Sequence, residues 1–388
     1  MNPVEKKIVI FGAGKIGRSF IGQLFSRSGF LVVFVDINRE LAENLNRKGE
    51  YRVVIRKEED DEVLLIKNIR GIDFYDTELV IGELASAGIA AFCVGQNGLP
   101  FLLPVVAKAL QRRRALYGNL PLDFIIAENM RNADQFIEEE LRQYLPGDYP
   151  FERLVGLVET SIGKMVPIMT QKDLDEDPLQ VFAEPYNTLI VSRNGFKNPI
   201  PAIDNLAPKE NIKAWVDRKL FIHNLGHASA AYLGYRKHPE TVYLYEVLAD
   251  RTIAGETRLV MLQSAEILMS LYPGEFTPGQ ITANIDDLLY RFSNKALGDT
   301  VYRVGCDLYR KLGPGDRLVT PIQAAIRMKK PYDRILDVLL AAISFRAKDE
   351  QGRFLPSDEA FFKEAEKGTG QVLKNICMLE PPASEITA

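Results

Sequence analysis

Apolar residues follow two different rhythms along this chain. Up to about residue 200 they come in short continuous runs, "IVIF", "LVVFV", "IAAFCV", "LDFII" and "LVGLV", set between polar or amphipathic stretches. Runs of that kind suit parallel strands buried on both faces. Beyond the proline-rich "NPIPAIDNLAP" the spacing changes to i, i+3, i+4. It persists through "TVYLYEVLADRTIAGETRLVMLQSAEILMSLY", "ITANIDDLLYRFSN", "RILDVLLAAISFRA" and "DEAFFKEAEKGTGQVLKNICML", as amphipathic helices require. The pattern predicts an α/β domain over residues 1–200 and a mainly α-helical domain over residues 201–388. Length agrees, since 388 residues exceed the usual size of a single core.

The first run carries a specific device. "IVIFGAGKIGRSFIG" is a strand, a glycine loop and a helix start, with Gly12, Gly14 and Gly17 in G-x-G-x-x-G. The first glycine permits a tight turn, the second lets backbone approach a pyrophosphate, and the third lets helix and strand pack closely. Ala13, Lys15 and Ile16 complete the loop, whose helix N-terminus offers N–H groups to phosphate. The next strand ends in Asp36, nineteen residues past Gly17, where a carboxylate accepts from the ribose hydroxyls of NAD and repels the 2′-phosphate of NADP. Arg39 lies near enough to soften that exclusion. The first domain is therefore expected to be a Rossmann-type doubly wound parallel sheet that binds NAD. Ligands in such sheets sit beyond the carboxyl ends of the strands. The polar ends of the runs at residues 89–95, 122–129 and 154–160 thus place Gly95 and Asn129 near cofactor and Glu159 near substrate. The alternative for each is a polar residue that merely caps a strand leaving the core.

"RKLFIHNLGHASAAYLGY" concentrates proton-handling groups in an apolar segment, holding two of the three histidines in the chain. As one long helix at about 100° per residue, His223, His227 and Asn224 fall about 40°, 80° and 140° from Lys219, all on one arc. A histidine near an apolar face is commonly a hydrogen-bonded core residue. His223 and His227 also have the i, i+4 spacing of a zinc clamp, but no further ligand or HExxH stands beside them, so no metal is expected. A dehydrogenase without metal needs a base for the hydroxyl proton and donors for the oxygen. A desolvated lysine supplies the first and an asparagine amide the second, with histidine orienting both.

Composition narrows the partners. A formal net charge of −4 disfavours nucleic acid, and no segment approaches the ~20 apolar residues of a membrane span. Three scattered cysteines without a CxxC pair suggest a reducing compartment, so a cytoplasmic protein is expected. The tail "PPASEITA" reads as loose.

K-x4-N-x2-H downstream of a Rossmann half resembles the polyol-specific long-chain dehydrogenases. "FGAGKIGRSFIG", "ENM", "VGLVETSIGKMVP", "RKLFIHNLGHASAAYLG" and "RVGCDLYRKLGPGDRL" follow in the family's order across most of the chain. The resemblance implies that Lys219 is the general base, that Asn224 holds the reacting oxygen and that His227 positions substrate. Arg303 and Lys311, eight apart, would touch the polyol. Where phosphate-using members read "VDRIVP" and "RVGRxPxRKL", this chain has Gly163 and Lys164, then Cys306 and Asp307. Lysine is a point charge where arginine offers a planar fork, and a thiol offers no charge. Lys164, Arg310 and Lys311 remain to form a cationic pocket. The implied activity is metal-independent, NAD-dependent interconversion of a polyol phosphate and a ketose phosphate, mannitol 1-phosphate and fructose 6-phosphate first. The alternatives are a free polyol or hexuronate as substrate, or an NAD-binding sensor without catalysis. The resemblance implies a small-molecule partner and a monomer or weak homodimer, with the lysine segment facing the Rossmann half across a cleft.

Overall fold

The structure, a computed structural model, describes residues 5–379; the tail expected to be loose lies outside them. It divides into two compact units, Met1–Val216 and Asp217–Ala388. Among the described residues the first contains eleven strands: β1 (Glu5–Phe11), β2 (Leu31–Asp36), β3 (Glu50–Ile55), β4 (Glu62–Lys67), β5 (Ile69–Asp73), β6 (Ala87–Phe92), β7 (Leu122–Ile126), β8 (Val155–Ser161), β9 (Val181–Ala183), β10 (Leu189–Ser192) and β11 (Leu206–Lys209). The main sheet runs β11-β10-β8-β7-β6-β1-β2-β5. Its six central and edge strands from β8 to β5 are parallel throughout. Strand order reverses between β1 and β6, the crevice where open α/β sheets bind ligands.

The continuous apolar runs are explained by burial on two sides. Along β1, Val9 and Phe11 enter one core with Leu103, Val106 and Ile137 from the covering helices. Ile8 and Ile10 enter the opposite core with Phe20, Leu24 and Tyr51. All four β1 side chains are at most 1% exposed, so each contributes about 1.5–3 kcal/mol of transfer free energy.

Three features depart from the expected sheet. A separate three-stranded sheet, β4-β3-β9, covers the second core, its inward residues Tyr51, Val53 and Val181 fully packed. Strand β10 runs antiparallel to β8, so the sheet is mixed. The proline-rich connection contains β11, which pairs with β10; Pro208 is tolerated because β11 lies at the sheet edge. That pairing holds residues beyond 200 in the first unit and moves its limit to Val216.

Every named element wholly within the second unit is helical; an isolated bridge pairs Tyr243 with Thr300. Leu225–Lys237 is its central helix, with Ala228, Ser229, Ala230, Ala231 and Tyr232 fully buried. Small residues let neighbours approach: a Cβ on Gly226 would lie 2.5 Å from Met261 Sδ, and one on Gly234 would lie 2.3 Å from Val247 Cγ1. The single long helix expected through this segment is divided. Ile212–Arg218 and Leu225–Lys237 flank a π-helical turn over Lys219–Asn224, where the Leu225 N–H reaches back to the Leu220 carbonyl. No helix among the described residues is long and apolar enough to cross a membrane.

Candidate active site

The glycine loop leaves β1 with Gly12 at φ +95°, a left-handed conformation that β-carbons resist. A Cβ there would meet the Cys93 carbonyl at 2.3 Å, and one on Gly17 would meet the Gly12 carbonyl at 2.0 Å. Nothing stands within 4 Å of a Cβ on Gly14, which leaves room above the loop. Ala13 donates its N–H to Asp36 Oδ2 at 2.7 Å, while Asn38 donates to Oδ1 at 2.8 Å. Asp36 thus fixes the loop as well as standing where a ribose would lie; a carboxylate has about four acceptor sites, so two remain. Lys15 is exposed and Ile16 half-buried at the helix start. Beside them lies a cavity of about 590 Å³ lined by Gly12, Gly14, Val35, Asp36, Ile37, Phe74, Tyr75 and Phe101 among others. An apolar slot ending at a glycine loop and a carboxylate fits the adenosine and pyrophosphate of a dinucleotide.

Two supports were not foreseen. Arg18 is buried beneath the loop, its Nε donating to the Ala13 carbonyl at 2.6 Å and its Nη1 to the Leu179 carbonyl at 2.6 Å. Glu128 Oε1 accepts from the N–H groups of Val94 and Gly95 at 2.8 and 3.1 Å, tying the ends of β6 and β7 together. Gly95 itself has φ +77° and is exposed, as is Asn129 just past β7. In the sequence, the glutamate of "ENM" carries no sign that backbone N–H groups converge on it.

The remaining first-unit candidates are more enclosed. Glu159 is 6% exposed in an acidic recess of about 270 Å³ shared with Asp134, Glu138 and Lys197. Burial, then the negative charge of Asp134, pushes its carboxyl up to about 7, against the pull of Lys213 and the Asn132 N–H. Lys164 is buried, and its ammonium donates to the carbonyls of Glu184 and Tyr186 and to Asn187 Oδ1, at 3.1, 2.8 and 3.0 Å. An ammonium has three N–H groups. Touching a substrate would cost it one of these bonds, so its place is that of a structural tie.

In the second unit, Lys219 and Asn224 are the first and last residues of the π-turn. In an α-helix residues five apart diverge by about 140°. Bonding from i to i+5 widens the turn and carries Asn224 round toward the face of Lys219. Burial, reinforced by the positive charge of Arg317 and opposed by Asp316, pulls the Lys219 ammonium down to about 8. His227 stacks on Phe292, ring centroids 4.7 Å apart, and its Nε2 lies 3.0 Å from Asp299 Oδ2. Arg303 closes this line through an ion pair with the other Asp299 oxygen. His223 packs against Phe292 at 5.5 Å. Burial first, then the charges of Arg291, His227, Lys219 and Arg317, hold its imidazole well below its ordinary value, so it stays neutral near pH 7.

Lys311, expected to touch substrate, is 5% exposed and donates to the carbonyls of Val304 (2.7 Å) and Cys306. It satisfies carbonyls at the end of the helix Val301–Gly305. Tyr232 donates to the Gly305 carbonyl at 2.9 Å, completing the clamp that fixes the segment bearing Arg303. Burial and the Arg317 charge lower Lys311 to about 8 as well. Asp299 and Arg317 are the second-unit groups that sequence reasoning missed. The i, i+4 pair Asp299 and Arg303 around Thr300, a helix N-cap, was the signal available for the first. Among the described residues no group of three or more His, Cys, Asp or Glu side chains is placed to hold a metal ion.

Comparison with known proteins places both units. Residues 6–205 match the model of the mannitol dehydrogenase Rossmann domain, and residues 211–378 that of the mannitol dehydrogenase C-terminal domain. A mannitol-1-phosphate 5-dehydrogenase of Halalkalibacterium halodurans is 32% identical over 89% of this chain and 90% of its own. One of Geobacillus stearothermophilus is 35% identical over 81% of this chain and 80% of its own. Among solved structures, the Pseudomonas fluorescens mannitol 2-dehydrogenase ternary complex with NAD and D-mannitol superposes with a TM-score of 0.73 at 19% identity, covering 92% of this chain and 83% of that one. A Rossmann sheet, a helical second unit and two consecutive family matches leave one conclusion: this chain belongs to the mannitol dehydrogenase family and is an oxidoreductase.

Proposed function

We propose that this chain is an NAD-dependent dehydrogenase interconverting a polyol phosphate and a ketose phosphate, with Lys219 as general base and no metal ion. The cofactor assignment rests on the residues present: the Gly12–Gly17 close packing, the open space over Gly14 and the Asp36 carboxylate all fit a dinucleotide. When bound, the nicotinamide supplies the hydride acceptor.

Lys219 carries the reading, because its amine is lowered to about 8 on the same turn as Asn224. In the neutral form the amine takes the proton of the reacting hydroxyl as the carbon gives up hydride and the C–O bond becomes a carbonyl. The Asn224 amide donates to that oxygen as its charge grows. Asp299 accepts from the Nε2–H of His227, a tautomer assigned from its carboxylate partner, and so fixes the imidazole that positions the substrate. Arg303 holds Asp299 in place through their ion pair. In the reverse direction the lysine ammonium returns the proton, so both directions balance without another acid.

The names of the two relatives support a phosphorylated substrate, mannitol 1-phosphate and fructose 6-phosphate first. Occupation of Lys164 by protein acceptors favours a second reading, a free polyol or a hexuronate. A panel of mannitol 1-phosphate, fructose 6-phosphate, free mannitol and fructuronate, followed by NADH absorbance, decides between them. Turnover of the phosphorylated pair at the highest kcat/KM is expected; no turnover of any member would remove the enzymatic reading.

A further inference from the structure

Several cations of the second unit use their donors unequally. Lys311 is bonded to two backbone carbonyls, and Arg303 is paired with Asp299. Arg310 is held at both Asp307 and Asp316, the latter at 3.0 Å through Nη1. Arg317 differs. Only its Nε is engaged, donating to Asp316 Oδ1 at 2.8 Å, and it shares that carboxylate with Arg310. Its side chain is 11% exposed, yet the four N–H groups of its two terminal nitrogens meet no acceptor among the described residues. Neither terminal nitrogen is sealed from solvent. A mostly buried guanidinium that presents an unfilled fork is shaped for an anion that offers two acceptor oxygens side by side, as a phosphate does. Its charge bears on Lys219, the proposed base, and also on His223, Tyr232 and Lys311.

We infer that Arg317 is the specificity-determining residue that grips the substrate's phosphate, pinned through Nε by Asp316 so that its two terminal nitrogens face the anion. The inference deepens the proposed function and rests on a phosphorylated substrate. It also accounts for a chain that carries Lys164 and Cys306 where phosphate-using members have arginine: the fork is supplied from another position. Asp316 then acts as a positioning residue, fixing the rotation of the guanidinium.

The test compares wild type with Arg317→Gln and Arg317→Lys. The reduction rates of fructose 6-phosphate and free fructose are measured as a pair, and the rise in Tm caused by inorganic phosphate is measured on each protein. Losing a bidentate charged contact should lower kcat/KM for the phosphorylated ketose by about 100-fold, mostly through KM. The ratio of phosphorylated to free ketose should collapse, with partial recovery in Arg317→Lys. The phosphate-induced rise in Tm should shrink in Arg317→Gln. A parallel fall on both ketoses, or an unchanged phosphate response, overturns the inference. Should wild type fail to turn over fructose 6-phosphate, the functional reading falls alone. The Tm comparison then still decides whether Arg317 holds an anion.

Discussion

The two π-turns of this chain make unlike sites from the same backbone irregularity. The first, Gly17–Gly22, is built from glycine: a Cβ on Gly22 would lie 2.8 Å from the Gly17 carbonyl, and every residue in it is buried. Its function is carried by backbone, with Arg18 bracing the loop from below. The second, Lys219–Asn224, keeps Lys219 and Asn224 half-buried and buries the four residues between them. Its proposed function is carried by an amine whose acidity is set first by burial and then by Arg317 and Asp316, far away in sequence. A backbone site is specified by what cannot fit; a side-chain site is specified by what surrounds it.

Removing the base tests that contrast most strongly. Lys219→Ala should lower kcat by roughly 10²–10⁴-fold, the usual worth of a positioned proton acceptor, while the NAD dissociation constant, measured by fluorescence titration, stays within about twofold. Equal loss of both would place Lys219 at the cofactor. Protonation does the same reversibly. The catalytic form in oxidation is the neutral amine, so kcat/KM for the polyol should rise with pH and level off above about 8. Two units lower, about one amine in a hundred is neutral, and the oxidation rate should be about 100-fold lower. Ketose reduction needs the ammonium and should fall as pH passes above about 8; a flat profile from pH 6 to 9 in both directions would contradict the assignment. The smallest effect is expected at the other turn. Gly17→Ala forces a Cβ against the Gly12 carbonyl and should cost about 1–3 kcal/mol. The readouts are a lowered Tm and weaker NAD binding, with the pH midpoint of the residual activity unmoved. A shifted midpoint would mean that the two turns are not the separate devices described.

Legibility followed the range of the forces involved. The Gly12, Gly14, Gly17 and Asp36 pattern was readable because steric exclusion at glycine acts between near neighbours, and the Ala13–Asp36 bond bears out how close the acid lies to the loop. K-x4-N-x2-H was readable as a spacing, yet the angular argument assumed a regular helix. The π-turn over Lys219–Asn224 replaces that regular helix, so angles taken at about 100° per residue do not hold there. Lys164 and Lys311 look like exposed cations in a linear text. Both are buried and occupied by carbonyls, because a folded chain must satisfy its orphan backbone acceptors with whatever donor is at hand. The sheet β4-β3-β9 was invisible because β9 joins β3 across more than a hundred residues, and β4 keeps a largely exposed face.

By itself the sequence settled what repeats at short range: buried parallel strands from apolar runs, the loop from its glycines, the helical second half from its periodicity. Tertiary structure alone decided which charges act. Desolvation and Coulomb interaction are set by distance through space, so the lowered amine of Lys219, the Asp299 anchor of His227 and the unfilled fork of Arg317 exist only once residues 219 to 317 are folded against one another.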